Sequence, residues 1–322
     1  MELPCRVLEF LALINVYSLS SFCWSTTAAQ SRFNGELSHQ IHNGIGAGLI
    51  SNIVGSIILI VIALLFKKDR EGIKKTISAV RSGQVAWWEM LGGLGGTFFL
   101  STQGITVPEI GVALFTISLV GGQTASSLLV DKLGLTPSGK KPITFSRVLI
   151  ASVTLLSVSI AVFPDLSNST FKILPIILAI LAGIVVAFQQ AVNARVNVVA
   201  ERPLATTFFN FIIGTFFLII ALAINLLRGG SIGRLPMSPW LYLGGVCGLT
   251  FIAVSAYTLK HVGLLNFITF SVSGQLIGAL LFDWLAPTNH ATVSGYLLTG
   301  TAMTMCAVVA SRFINLRRGV RS

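Results

Sequence analysis

The chain has 322 residues, 53% of them hydrophobic and only 10% charged, with a mean hydropathy of +0.84. That is more apolar surface than one soluble core can hide, so a soluble globular domain is excluded and an integral membrane protein is expected. The net charge of +11 would suit nucleic acid only with a basic face on a soluble domain, and no stretch is long enough to build one.

The apolar residues come in long unbroken runs rather than short alternating segments, which predicts helices and not a barrel. At about 20 apolar residues per crossing, ten spans follow in order: 7–29, 45–66, 88–106, 109–130, 146–164, 172–193, 204–227, 240–258, 262–284 and 293–314. The first, "RVLEFLALINVYSLSSFCWSTTAAQ", resembles a signal peptide, with Arg6 in front and Ala28 and Ala29 behind. Its apolar part is diluted by serines and threonines, and its removal would leave one half of the repeat described below incomplete, so it is expected to be retained. The longest gap, Lys67 to Trp87, is rich in Lys and Arg, and no gap is long enough to fold into a catalytic domain.

Eighteen of the 22 Lys and Arg fall on the side that carries the N-terminus, and four (Arg32, Lys172, Arg228 and Arg234) on the other. The positive-inside rule then puts both termini in the cytoplasm. Cys5, Cys23, Cys247 and Cys306 lie far apart without CxxC pairing, so neither a disulfide framework nor a zinc site is expected. No metal and no cofactor are expected either, since His39, His42, His261 and His290 form no ligand set.

The spans repeat. Gln123 and Gln275 differ by 152 positions, and the same offset relates Asp131 to Asp283, Gly111 to Gly263, Trp88 to Trp240, and Gly92, Gly93 and Gly96 to Gly244, Gly245 and Gly248. Further upstream the offset is 159, as in Gln30 to Gln189, Asn34 to Asn193 and Gly55 to Gly214. The chain therefore reads as two five-span units, 1–164 and 165–322. A unit with an odd number of crossings ends on the side opposite its start, so the second must be inverted. Inverted repeats are the build of many secondary transporters, with the substrate site near the midplane between halves.

The segments "QSRFNGEL" and "QQAVNARV", "WWEMLGGLGG" and "WLYLGGVCG", and "GGQTASSLLVDKLG" and "SGQLIGALLFDWL" resemble the drug/metabolite transporter superfamily, and within it the YdcZ-type branch of inner-membrane exporters. That resemblance covers nearly the whole chain and implies transport across the cell (inner) membrane without fixing a substrate. Departures are the polar first span and Trp284–Leu285 where the first copy has Lys132–Leu133.

Amides inside a bilayer must be hydrogen-bonded or wet, so Gln123 and Gln275 are expected to face the bundle, either as interhelical glue or as substrate contacts. Gln30 with Asn34, and Gln189 with Asn193, share a helix face at spacing four and either cap span ends or line opposite mouths of a pathway. Asp131 and Asp283, with Glu9 and Glu89, lie near span ends and are read as solvated helix ends or as gate and coupling groups. Gly92 with Gly96, Gly244 with Gly248, and Gly274 with Gly278 are GxxxG pairs, and Gly122 starts the equivalent row ending at Ser126, all suited to close helix packing. The reading is an all-α membrane protein of ten spans in two inverted repeats. It carries a small polar or amphipathic metabolite, more readily outward, by alternating access; its partners are that substrate and the bilayer, with a homodimer allowed. A channel or non-transporting scaffold is the alternative. An enzyme fits less well, for want of clustered carboxylates or a nucleophile with a base.

Overall fold

The structure is a computed structural model that describes residues 26–137, 139–140, 142–163, 173–285 and 293–319; for residues 146, 252–271 and 311–319 it describes the backbone alone. Every regular element among these residues is helical. α1 covers 26–41 and is followed by α2 (Gly44–Leu65), α3 (Lys67–Arg81), α4 (Gly92–Leu133), α5 (Phe145–Val162), α6 (Leu174–Ala200), α7 (Pro203–Leu227), α8 (Gly244–Leu285) and α9 (Gly295–Gly319). Short 3-10 turns, Trp87–Leu91 and Pro239–Leu243, lead into α4 and α8.

Four helices, Gly44–Leu65, Trp87–Leu133, Leu174–Ala200 and Pro203–Leu227, are long and apolar enough to cross a membrane, and Arg147–Val162, Val272–Leu285 and Gly295–Ala310 are shorter apolar helices. The element from Trp87 to Leu133 is 47 residues; as one straight helix it would be about 70 Å long, more than twice the roughly 30 Å of a hydrocarbon core. It is broken at Gly111 (φ 77, ψ 171), in a left-handed region that costs glycine little, three residues after Pro108. The predicted spans 88–106 and 109–130 thus share one nearly continuous helix, kinked at Gly111 with no loop between them.

Three further differences from the sequence reading have plain causes. α1 continues to Ile41, so Gln30, Asn34 and Arg32 lie inside a helix and not at or beyond its end; the polar face that looks like a terminus in sequence is buried against other helices. α6 likewise runs on to Ala200 and carries Gln189 and Asn193 inside it. The basic gap after α2 is not loop but α3, a helix whose small residues Gly72, Thr76 and Ala79 are buried against the neighbouring ends of α6 and α7. The stretch 7–25, most of the first predicted span, lies outside the described residues.

α4 is the most buried of the long helices and α7 the least. The main core forms where α4 meets α5, α6, α8 and α9, around Val107, Phe115, Ile117, Ala179, Ala182 and Leu276. Backbones nearly touch at two crossings. A side chain on Gly122 would strike the carbonyl of Ile180, and one on Gly183 would strike the carbonyl of Leu119 and the amide of Gln123, so only hydrogens fit where α4 crosses α6. Gly44 and Gly104 block one another in the same way at the start of α2.

Candidate functional site

The polar residues of these helices meet both within the first sequence half and across the two halves. Asn34 donates from Nδ2 to Gln103 Oε1 at 2.7 Å, and Gln103 donates from Nε2 to Ser31 Oγ at 2.7 Å. Ser31 in turn donates to the carbonyl of Thr27 at 3.1 Å. Asn34 and Gln103 are wholly buried and Gln30 nearly so. Spacing four puts Gln30 and Asn34 on one stripe of α1, and that stripe lies against α8: Asn34 Oδ1 and Ser51 Oγ bear on Gly244, and the Gln30 amide on Gly248. Among the described residues neither Asn34 Oδ1 nor Ser51 Oγ has a hydrogen-bond partner, and both lie beside the start of α8.

The second half repeats this seat with exchanged roles. Asn193 Oδ1 and Asn210 Oδ1 bear on Gly92 at the start of α4, and Gln189 lies against Gly95 and Gly96. Asn210 stands 159 positions after Ser51, the offset that also relates the Gln and Asn pairs. Gly92, Gly96, Gly244 and Gly248 therefore sit where an amide side chain of the opposite half presses on the helix, because a Cβ there would displace the amide. The surroundings are unequal: Gln189 and Asn193 are only half-buried.

Between the seats, α2 packs on α7. Asn52 donates to the carbonyl of Phe211 at 2.7 Å and to Thr215 Oγ1 at 2.8 Å, and Ser56 and Thr215 share a hydrogen bond of 3.0 Å. Asn52 and Phe211, Gly55 and Gly214, and Ser56 and Thr215 are all 159 apart, so equivalent positions of the two halves face one another. Asn43 caps α2 by accepting the Gly46 N–H at 2.8 Å and donates to Asn225 Oδ1, also at 2.8 Å.

The carboxylates are engaged rather than solvated. Asp283, buried near the end of α8, accepts the N–H of Val112 at 2.9 Å and of Ala113 at 2.7 Å. The break at Gly111 deprives these amides of helical partners, and a carboxylate at a helix N-terminus satisfies them. Its counterpart Asp131 instead forms an ion pair with Arg147 at the start of α5. Glu89, buried, accepts the Ala86 N–H at 2.9 Å and pairs with Arg195 Nε at 2.7 Å; the Arg195 guanidinium lies 6.0 Å from the Trp88 ring centre. Glu9 lies outside the described residues.

Gln123 and Gln275 are half-buried, as is Gly274, while Gly278 is buried. Among the described contacts neither glutamine joins the amide clusters; Gln123 sits at the α4–α6 crossing. Sequence reasoning missed Gln103, Asn52, Asn210 and Arg195. The criterion that singled out Gln123, an amide within an apolar span, applies equally to Gln103 and Asn52. Among the described residues no group of three or more His, Cys, Asp and Glu could hold a metal. The chemistry on offer is chiefly neutral hydrogen bonding, from amides and hydroxyls, with charges either at helix ends or, as for Arg32 with Glu36, paired within a helix.

Both halves match one family model, described as "Putative inner membrane exporter, YdcZ", over residues 24–160 and 174–310. The inner membrane protein YdcZ of Escherichia coli strain K12 is 33% identical over 85 residues, which are 26% of this chain and 53% of that protein, so the chain spans about half the length of the curated relative it matches. A solved crystal structure, described only as that of a protein, aligns with a TM-score of 0.51 at 16% identity over 95% of this chain and 98% of the other, a likeness of fold alone. With two consecutive family matches on one apolar helical chain, it belongs to the YdcZ family of the drug/metabolite transporter superfamily, multi-pass proteins of the inner membrane.

Proposed function

We propose that the protein is a secondary transporter that moves a small polar or amphipathic metabolite, neutral or zwitterionic, outward by alternating access between two inverted five-helix repeats, 1–164 and 165–322, with both termini cytoplasmic. One observation carries the reading: equivalent residues of the two halves stand in unequal environments. Gln30 and Asn34 are buried under Gly248 and Gly244, whereas Gln189 and Asn193, under Gly96 and Gly92, are half-exposed. Asp283 caps the helix start at Val112, whereas Asp131 is held by Arg147. A protein closed at one end and open at the other has this asymmetry, and an exchange of environments between halves gives the opposite state.

On this reading the half-exposed amides Gln189 and Asn193, with Gln123 and Gln275, receive substrate in the present state, and Gln30 and Asn34 receive it in the other. Asp283 and Asp131 are the gates. In the alternate state Asp131 leaves Arg147 and caps the helix start after Gly263, the counterpart of Gly111. Glu89, bound to Arg195, steadies one mouth.

The test is transport by the purified protein in vesicles, with the substrate first found by comparing metabolites inside and outside cells with and without the protein. Saturable uptake with counterflow is expected, and its loss in Gln189→Ala with Asn193→Ala. Conductance without saturation would favour a channel and overturn the carrier.

A further inference from the structure

The basic helix α3 has no role in the transport scheme and belongs to one half only, because the corresponding stretch of the second half, 228–238 between α7 and the turn at Pro239–Leu243, is ten residues shorter than 66–86. It begins one residue after α2 ends, which places it at the membrane surface. Its orientation is fixed. Gly72 lies against Arg202, the residue that caps α7, and Ala205 within it, with an added Cβ 2.9 Å from Arg202 Cβ, Thr76 bonds back to the Gly72 carbonyl at 2.9 Å, and Lys75 pairs with Glu201 at the end of α6 at 2.6 Å.

With the Gly72–Thr76–Ala79 face so held, 100° per residue sorts the other side chains into two adjoining stripes. One is apolar: Phe66 just before the helix, then Ile73, Ile77 and Val80, with Phe66 56% and Ile77 39% exposed. The next is basic: Arg70, Lys74 and Arg81, all exposed, none with an acidic partner among the described residues. The apolar stripe thus adjoins three free cations on a helix that starts at a membrane edge, the arrangement of a helix lying in the headgroup layer. The exposed indoles of Trp87 and Trp88 follow six and seven residues after Arg81, at the depth where aromatic anchors sit.

We infer that α3 is an interfacial helix that binds anionic phospholipid, with Phe66, Ile73 and Ile77 in the acyl boundary and Arg70, Lys74 and Arg81 on the headgroup phosphates. The occupant is lipid rather than free phosphate because the cations adjoin an apolar stripe that a soluble anion would leave exposed.

The experiment compares amide hydrogen exchange over 67–81 for the full chain in nanodiscs of phosphatidylcholine and of phosphatidylglycerol. Exchange is expected to be several-fold slower in phosphatidylglycerol, the difference shrinking with added salt and vanishing in the triple variant Arg70→Gln, Lys74→Gln, Arg81→Gln. It should persist in the control Lys132→Gln, Lys140→Gln, whose charges lie elsewhere. Equal exchange of the parent in both lipids overturns the proposal, as does a lipid difference that survives in the triple variant. Should the triple variant not fold, as read from exchange in α4 and α7, the parent alone decides: a difference insensitive to salt between 50 mM and 500 mM, over which screening deepens severalfold, overturns it. Free inorganic phosphate added to phosphatidylcholine nanodiscs is expected to have no effect; protection by it overturns the lipid assignment.

Discussion

Asp283 and Ala113, 170 positions apart, are joined by a 2.7 Å hydrogen bond in which the carboxylate of α8 accepts an amide that the break at Gly111 strips of its helical partner. Val112 makes the second bond of the pair. Removing the carboxylate in Asp283→Ala leaves two buried donors unpaired and is expected to destabilise the fold by about 2–4 kcal/mol, from a helix-cap loss of about 1–2 kcal/mol plus a desolvated amide. Asp283→Asn keeps one acceptor and should lose less than half of that. Unfolding of the purified variants in detergent checks the order; an Ala variant as stable as the parent would refute the cap.

The amide relay from Asn34 through Gln103 to Ser31 should show up as energetic coupling. A double-mutant cycle of Asn34→Ala and Gln103→Ala is expected to return about 0.6 kcal/mol, the average for hydrogen bonds between membrane helices, and no more than about 1.7 kcal/mol. Strict additivity of the two single effects would show that the contact contributes nothing.

Backbone approach sets a sharper contrast among glycines. Gly183→Ala and Gly122→Ala each force a methyl onto a main-chain carbonyl, so the helices must part, at about 1–3 kcal/mol or more. Gly295→Ala, with nothing within 4 Å of its added carbon, should be neutral or slightly stabilising. Thermal midpoints measured side by side would separate them.

Glu201, exposed at the end of α6, is held below the ordinary glutamate range by its hydrogen bond to Lys75 and then by that ammonium's charge. A lowered folded value means that the tie is fully present above the unfolded pKa of about 4.3 and is lost as pH falls through the folded one. Limited proteolysis within 67–81 should therefore accelerate modestly below about pH 4. In Glu201→Gln that acid-induced step is expected to disappear.

Topology is open to labelling. In a background freed of Cys5, Cys23, Cys247 and Cys306, single cysteines at Arg147 and Arg317 are expected to react with a membrane-impermeant reagent from the same, cytoplasmic side. Opposite sides would dismantle the inverted arrangement.

The helical class, the membrane setting and the internal repeat were legible because they rest on composition and on spacing, which survive whatever the tertiary contacts are. Helix limits were less so. The polar stripe of Gln30 and Asn34 looks like a terminus only until Gly244 and Gly248 are seen to cover it, and Lys67–Arg81 looks like loop because its buried face is made of small residues with no apolar signal of their own. The engagement of Asp283 was illegible for a related reason: its partners are backbone amides freed by Gly111, and nothing in the local sequence of α8 announces them. Gln103 and Asn52 were legible in principle, being amides within apolar runs.

The seat beneath Gly92 is built from Asn193 and Asn210, and the seat beneath Gly244 from Asn34 and Ser51; each half supplies the cradle for the other's helix and none for its own. Either sequence half, released from this chain, would therefore carry an unfilled cradle and an uncradled helix. It could satisfy both by pairing with a second such fragment, each filling the other's cradle; carrying both halves on one polypeptide fixes their ratio at one to one.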